Sequence, residues 1–223
     1  MTRRTAVLLG LALPALAYPP DEFWNEKDPK GWTEDERKQL LTNSPWAREA
    51  TTKYNLGAYG LGMMGVGGTG RRGGRTTANP GATSDNRDAP PLPKRYDAVV
   101  RWESALPIRQ AKRAKPPDDA ASNYILCVTG NLPMLGRASD DESDDEYSQR
   151  LDMLKEYTKL EKKGPPIYLN HVAYSKDGAL FYFERGELTL HDGSVTFVTT
   201  LGPLDVKCKF ALKEMMYRGK LEL

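Results

Sequence analysis

The chain has 223 residues, with 32 lysines and arginines against 30 aspartates and glutamates, and a formal net charge of +2. This near balance argues against a general nucleic-acid-binding protein, which needs excess positive charge to displace counterions from its partner. The length beyond the first 17 residues suits one domain of ordinary size.

The N-terminus has the three parts of a secretory signal peptide, over residues 1–17. Arg3 and Arg4 precede an uncharged apolar stretch, and a small-x-small pattern ends at Ala17. We therefore predict cleavage between Ala17 and Tyr18 and a secreted or periplasmic location. The apolar stretch is shorter than the roughly 20 residues of a membrane anchor, and no later segment is predicted to span a membrane. The paired arginines are compatible with either the general or the twin-arginine export route, and the sequence does not decide between the two.

Residues 18–56 are predicted to form a helix and a strand that pack on the main domain. Thr33 and Glu36 have the spacing of a capping box, which starts a helix that runs to about Thr42. Asn43 begins a turn sequence that ends this helix. Threonines and a tyrosine between residues 47 and 55 then favour a strand.

Three tryptophans, Trp24, Trp32 and Trp46, flank this predicted helix. Large aromatic side chains in such a segment either fill a core or form an exposed surface that stacks on sugars or on a partner. They are the candidate aromatic binding surface of the sequence.

A composition change marks residues 57–93 as a flexible excursion rich in glycine and proline. Nine glycines lie between residues 57 and 74, so ordering this stretch costs much backbone entropy. Residues 60–65 match the dinucleotide-binding pattern G-x-G-x-x-G, but more glycine follows where that site needs a helix, and no clear βαβ unit is predicted. A weaker hypothesis gives the excursion an adhesive or assembly role.

Residues 94–223 are predicted to form an α+β core domain. A strand over residues 96–103 is followed by a short helix that begins at Ser104, and residues 124–129 read as a central strand. An amphipathic helix follows the acidic residues near position 140 and includes Leu160. Further strands are expected near residues 167–174, 179–185, 187–191, 194–200, 205–212 and 215–222. Together these elements predict a mainly antiparallel sheet with two or three covering helices.

Charge is unevenly distributed within this core domain. Residues 94–117 hold seven basic and two acidic side chains, whereas residues 118–146 hold eight acidic side chains and one arginine. Such charge runs are usually solvated segments, which here would partly neutralise each other. The alternative is that the basic run forms a surface that binds an anionic partner, or that the acidic run binds a cation.

The two cysteines lie in predicted strands whose side chains point into a core. In an exported protein, Cys127 and Cys208 form either a disulfide or two buried free thiols. With His171 and His191 they lack the ligand spacing of a zinc site. The sequence therefore predicts no catalytic, cofactor-binding or metal-ligating set of residues.

Three blocks resemble a group of bacterial exported proteins with no known activity. They are Gly31-Trp32-Thr33 with residues 40–47 (LLTNSPWA), residues 100–107 (VRWESALP), and the closing residues 210–223. The resemblance implies a secreted bacterial protein whose first helix and C-terminal strands share one domain. It transfers no activity, cofactor or site residue.

These observations favour a secreted or periplasmic bacterial protein that acts without enzymatic activity, as a binding or accessory module with an envelope or extracellular partner. The alternative is an exported hydrolase that uses carboxylates in a cleft. The first hypothesis expects a sheet or helix face with exposed aromatic side chains and no convergent polar pocket. The second expects a concave pocket that holds at least two acids or one histidine.

Overall fold

A computed structural model of the chain describes residues 22–54, 96–132, 143–186, 188–201 and 204–223. The predicted signal peptide of residues 1–17, the cleavage site at Ala17 and Tyr18, and the excursion of residues 57–93 lie outside the described residues.

The described residues form four α-helices, eleven strands and three short 3-10 helices. The helices are α1 (Phe23–Glu26), α2 (Glu34–Thr42), α3 (Leu106–Lys112) and α4 (Asp144–Tyr157). The strands are β1 (Ala47–Glu49), β2 (Thr51–Tyr54), β3 (Ala98–Trp102), β4 (Asn123–Gly130), β5 (Lys159–Glu161), β6 (Ile167–Ser175), β7 (Gly178–Glu184), β8 (Ser194–Leu201), β9 (Leu204–Ala211), β10 (Met216–Tyr217) and β11 (Lys220–Leu221). The 3-10 helices are Pro29–Gly31, Leu190–Asp192 and Leu212–Glu214.

Nine of these strands form one antiparallel sheet in the order β1-β3-β4-β7-β6-β5-β8-β9-β2. The strands at the two ends of this order, β1 and β2, are separated along the chain only by Ala50. β1 pairs with β3, and β2 pairs with β9. The same stretch of chain therefore joins both edges, and the sheet curls into a nearly closed cylinder.

The capping box predicted for the first long helix is present at the start of α2. The Glu36 amide donates to the Thr33 hydroxyl at 3.2 Å, and the Thr33 amide donates to the Glu36 carboxylate at 2.8 Å. Two donors that a helix N-terminus leaves unpaired are thereby satisfied. The helix ends at Thr42, as the turn sequence at Asn43 predicts.

Side chains from both ends of the described chain pack into one core. Trp46 lies edge-to-face with Tyr217, with 6.3 Å between ring centroids, and its Nε1 donates to the Glu222 carbonyl at 2.9 Å. Within the cylinder, Phe181 packs edge-on against Phe197 at 5.3 Å. The N-terminal helices, the sheet and the C-terminal hairpin β10–β11 thus share a single hydrophobic cluster.

A second buried layer lies on the outer face of β4 and β7. Successive residues of a strand point to opposite faces, and Leu126 and Val128 belong to the interior cluster, whereas the buried Ile125 and Cys127 do not. Beside them, Tyr182 is also buried on the outer face. We call residues 113–122, which connect α3 to β4, the strap.

The strap lies close to this outer face. Burial, and then the carboxylates of Asp118 and Asp119 in the strap, raise the pKa of Tyr182. A direct contact links the strap to the end of β7, where the Arg185 amide donates to the Ser122 carbonyl at 2.8 Å.

The prediction of a mainly antiparallel sheet accompanied by helices is confirmed. The sheet is more extensive than predicted, because the N-terminal segment contributes β1 and β2 and closes the sheet on itself. The predicted strand over residues 187–191 is wrong for the described residues 188–191, since 188 and 189 lie in no strand and the 3-10 helix Leu190–Asp192 takes the other two.

Candidate ligand-binding pocket

The three tryptophans proposed as a binding surface are buried. Trp24, Trp32 and Trp46 are 5%, 3% and 0% exposed, and Trp24 packs edge-on against Trp46 at 5.8 Å. Trp32 contacts Phe23 in the same manner. This aromatic cluster fixes α1 and α2 on the cylinder, which corrects the surface interpretation in favour of the core alternative.

The two cysteines are free, buried thiols and not a disulfide. Cys208 belongs to the interior cluster, where its sulfur lies 3.8 Å from the Arg48 carbonyl. Cys127 lies opposite Arg101 in the β3–β4 register, on the outer face of the sheet. The two side chains point to opposite faces, so they do not meet the geometry of a disulfide. Burial raises the pKa of each thiol to about 12.

The other motifs give no metal or cofactor site within the described part of the chain. His171 stacks on Tyr182 with ring centroids 4.0 Å apart, and His191 lies in the 3-10 helix before Gly193. No group of three or more histidine, cysteine or acidic side chains is arranged around one point in the described ranges. The glycine pattern of residues 60–65 lies outside those ranges.

A buried ion network covers Cys127 on the outer face. Glu103, 4% exposed, accepts from Arg101 Nη2 at 2.6 Å and from Lys112 Nζ at 2.8 Å, and Lys112 also reaches Asp177 at 2.9 Å. Burial lowers the pKa of Lys112, but the hydrogen bonds to Glu103 and Asp177 outweigh it and raise the pKa overall. The charges of the two cations and the two carboxylates cancel. We therefore interpret the network as a structural link between β3, α3 and the β6–β7 turn.

A second joint links the N-terminal segment to the end of α3. The buried Arg37 guanidinium donates to the carbonyls of Pro29 at 2.6 Å, Trp32 at 3.2 Å and Gln110 at 3.0 Å, and to that of Ala111 at 3.4 Å. The last carbonyls of a helix lack the amide partners of its interior. The Gln110 carbonyl also accepts from the Arg113 amide at 3.2 Å, and Arg37 adds a charged donor to it and to the Ala111 carbonyl, which ties the N-terminal segment to α3.

A pocket of about 800 Å³ lies between the strap and the C-terminal residues 221–223. Ser104 and Arg109, at the β3–α3 corner, line one part of it, and Asp118 and Asp119 line the strap side. This volume falls within the range of ligand pockets in proteins, about 300–1,000 Å³. The pocket carries charges of both signs, supplied by separate segments of the chain.

Arg109 has an unsatisfied donor. Its Nε is buried and has no hydrogen-bond partner among the residues that the structure describes. Pro107, Ile108 and Ala111 on the same helix are buried, so the backbone that carries Arg109 is held in place. A buried donor without a partner is costly. The Nε is enclosed by protein atoms, so the terminal nitrogens of the guanidinium are the part of Arg109 that can face the pocket.

The second guanidinium of the pocket, that of Arg185, already has partners. It lies over the Tyr124 ring at 4.8 Å and donates to the carbonyls of Leu223 at 2.8 Å and Ala120 at 3.5 Å. Burial raises the pKa of Tyr124. Arg185 therefore links the two rims of the pocket through its own hydrogen bonds. Arg109 is the guanidinium of the lining whose donors are available to a ligand.

The strap turns sharply at the acidic rim. Asp119 has a φ of 60°, in the left-handed region that few non-glycine residues adopt but that Asp and Asn tolerate. Its carbonyl accepts from the amides of Ser122 at 3.0 Å and Asn123 at 2.9 Å. These bonds hold the turn in place and tie the acidic rim to the start of β4.

No pattern in the sequence brings these pocket residues together as a set. One signal was present: the basic stretch ends at Pro117 and the acidic stretch begins at Asp118, and the pocket spans that boundary. The contribution of Glu222 and its neighbours is non-local, and no pattern in the sequence reveals it.

Comparison of the chain with protein-family models, with curated proteins and with solved structures gives no significant match. In the described ranges, no helix combines the length and the apolar character that crossing a membrane requires.

Proposed function

We propose that this chain is an exported bacterial binding or accessory module of the cell envelope, and that its ligand occupies the pocket between the strap and residues 221–223. The observation that carries the proposal is the guanidinium of Arg109 in a pocket whose strap rim is acidic, a polar pocket that the sequence did not predict for a binding module. Convergent polar groups in one concave pocket are the usual sign of a binding site.

The composition of the pocket favours binding over covalent catalysis. Within the described part of the chain, the residues that line it include neither histidine nor cysteine. Ser104 is the buried hydroxyl of the lining, and it accepts a hydrogen bond from the Ile125 amide at 3.1 Å. A serine nucleophile needs a general base beside it, and within the described residues the Ser104 hydroxyl is bonded to the Ile125 amide and not to a carboxylate of the lining.

Export rests on the sequence of residues 1–17. We expect the protein recovered from its native compartment to begin at Tyr18, which an intact mass measures directly. A mass that retains the first 17 residues would overturn the export part of the proposal and leave the pocket to be judged separately.

Binding is tested by thermal shift with a panel of amino acids, short peptides, sugars, nucleotides and divalent cations. The Arg109→Gln variant reports on the pocket. Arg113→Gln is the matched control, because Arg113 lies four residues further on, outside the pocket lining, with a side chain 68% exposed. We expect at least one class to stabilise the wild type and the control but not Arg109→Gln. Equal stabilisation of all three proteins, or of none, would contradict the pocket as the binding site.

The exported hydrolase is the second candidate, because three carboxylates, those of Asp118, Asp119 and Glu222, line the pocket. The double variant Asp118→Asn, Asp119→Asn separates the two functions. Turnover of peptide, ester or glycoside substrates that disappears in this variant would favour the hydrolase. Loss of binding without any turnover in the wild type would favour the binding module.

A further inference from the structure

We propose that the ligand of this pocket is a short peptide with free termini, whose carboxylate binds Arg109 and whose ammonium group binds the strap carboxylates. The inference rests on the proposed function and adds the ligand class to it. It follows from three features of the pocket: one available guanidinium donor, an acidic rim on the strap, and small apolar surfaces beside them.

Arg109 selects for a carboxylate. A guanidinium presents a planar fork of N–H donors that matches the two oxygens of a carboxylate. Arg109 lines the pocket. Its Nε is enclosed by protein atoms, so the terminal N–H groups of the guanidinium are the donors that can meet a ligand carboxylate. Such charge-assisted pairs are shorter and stronger than neutral hydrogen bonds.

The strap selects for a cation. Asp118 and Asp119 are adjacent and exposed at the pocket rim, and the hydrogen bonds to the Asp119 carbonyl hold their turn. Two neighbouring carboxylates attract an ammonium group and repel additional negative charge. This repulsion argues against nucleotides and other polyanions as ligands. The second guanidinium does not offset it, because Arg185 already contacts Tyr124, Leu223 and Ala120.

The remaining surface suits a peptide backbone with small side chains. Pro116, Pro117, Ala121 and Leu221 line the pocket and give it small apolar walls. The Ser104 oxygen accepts from the Ile125 amide, so its O–H hydrogen remains available to donate to a peptide carbonyl. A volume of about 800 Å³ accommodates several residues rather than one small ion.

Three matched probes test the ligand class by isothermal titration calorimetry. They are trialanine, N-acetyl-trialanine, which lacks the ammonium group, and trialanine amide, which lacks the carboxylate. We expect trialanine to bind most tightly and each blocked form to bind about tenfold more weakly, the loss of one charge-assisted contact. Equal affinities for all three probes would overturn the proposal.

Variants assign each terminus to its side of the pocket. Arg109→Gln should weaken trialanine and N-acetyl-trialanine and leave trialanine amide unchanged. Asp118→Asn with Asp119→Asn should weaken trialanine and trialanine amide and leave the N-acetyl form unchanged. Asn suits the left-handed backbone at position 119, so this change removes charge without straining the strap. The opposite pattern, or no difference between the variants, would contradict the assignment.

Failure of this inference is distinct from failure of the binding module. If a sugar or another uncharged ligand binds in an Arg109-dependent manner while trialanine does not bind, the pocket functions and the peptide proposal is wrong. If no member of the panel binds the pocket, both proposals fall. The comparison of the three probes uses the wild-type protein, so it stands even where a variant folds poorly.

Discussion

The guanidinium of Arg37 donates a hydrogen bond at 3.0 Å to the backbone carbonyl of Gln110, 73 residues further along the chain. Gln110 follows Arg109 on α3, so this bond ties the N-terminal segment to the helix that carries the key pocket residue. The order of the pocket therefore depends on a side chain that does not line it.

We expect Arg37→Met to lower the free energy of unfolding by about 3 kcal/mol, because the carbonyls of Gln110 and Pro29 lose a charged donor in a buried site. Arg37→Lys should be less harmful than Met but still destabilising, since one ammonium group cannot reach four carbonyls. Urea unfolding measures both variants. A loss below about 0.5 kcal/mol, typical of surface substitutions, would contradict this role for Arg37.

The two carboxylates that bind Lys112 are expected to differ in their contribution to stability. Glu103→Gln should lower the free energy of unfolding by about 3 kcal/mol, because it leaves Arg101 and Lys112 without a buried counter-charge. Asp177→Asn should cost less than about 1 kcal/mol, since the Asp177 side chain is 39% exposed and its pair is screened by solvent. If matched urea titrations gave the two variants equal losses in the free energy of unfolding, burial of the carboxylate would not determine its contribution to stability.

Asp177 should also contribute to the acid dependence of stability. Its hydrogen bond to Lys112 lowers the pKa of Asp177 in the folded protein. The stabilisation is therefore present above the unfolded-state pKa, about 3.9, and is lost as the pH falls through the lowered folded-state pKa. Asp177→Asn should lack this part of the pH dependence, which urea unfolding at a series of acidic pH values measures. Parallel wild-type and variant curves would exclude the effect.

Both cysteines should resist alkylation in the folded protein. Burial raises the pKa of each thiol to about 12, so at mildly alkaline pH little thiolate is present and the reagent has no access. We expect iodoacetamide to add nothing to the native protein and to modify Cys127 and Cys208 after unfolding without reductant. Modification that requires a reductant would reveal a disulfide.

Much of the fold follows from local patterns that the structure confirms. The capping box of Thr33 and Glu36 defines α2. The Asp177-Gly178 sequence predicts the β6–β7 turn, where Gly178 has a φ of 142° and a Cβ would lie 2.2 Å from the Val128 carbonyl. These features depend on neighbours in the sequence, so a single sequence reveals them.

Other elements depend on tertiary contacts. The spacing of Leu160 continues the helical pattern, so the sequence predicts a helix at this residue. In the structure α4 ends at Tyr157, and Leu160 lies in β5, which pairs with both β6 and β8. Ser104 has the residue type of a helix cap, but Ala105 takes that position and the Ser104 hydroxyl binds the Ile125 amide instead.

The pocket was beyond sequence analysis for the same reason. Glu222 is distant in sequence from Ser104, Arg109 and the strap, and tertiary contacts such as the hydrogen bond from Trp46 Nε1 to the Glu222 carbonyl hold it in place. The change from basic to acidic residues at Asp118 indicates this part of the chain, but it does not reveal which groups lie across the pocket from the acidic side chains.

The most direct test of the account is to map where trialanine binds. Two-dimensional ¹H–¹⁵N spectra of the purified, labelled protein resolve the Arg109 Nε–H signal and the backbone amides of the pocket. We predict that titration with trialanine shifts Arg109 Nε–H, Ser104, Ser122 and Glu222, and leaves the amides of Lys207 and Lys209 on the far strand β9 unchanged. Shifts centred away from the pocket, or none at all, would contradict the account.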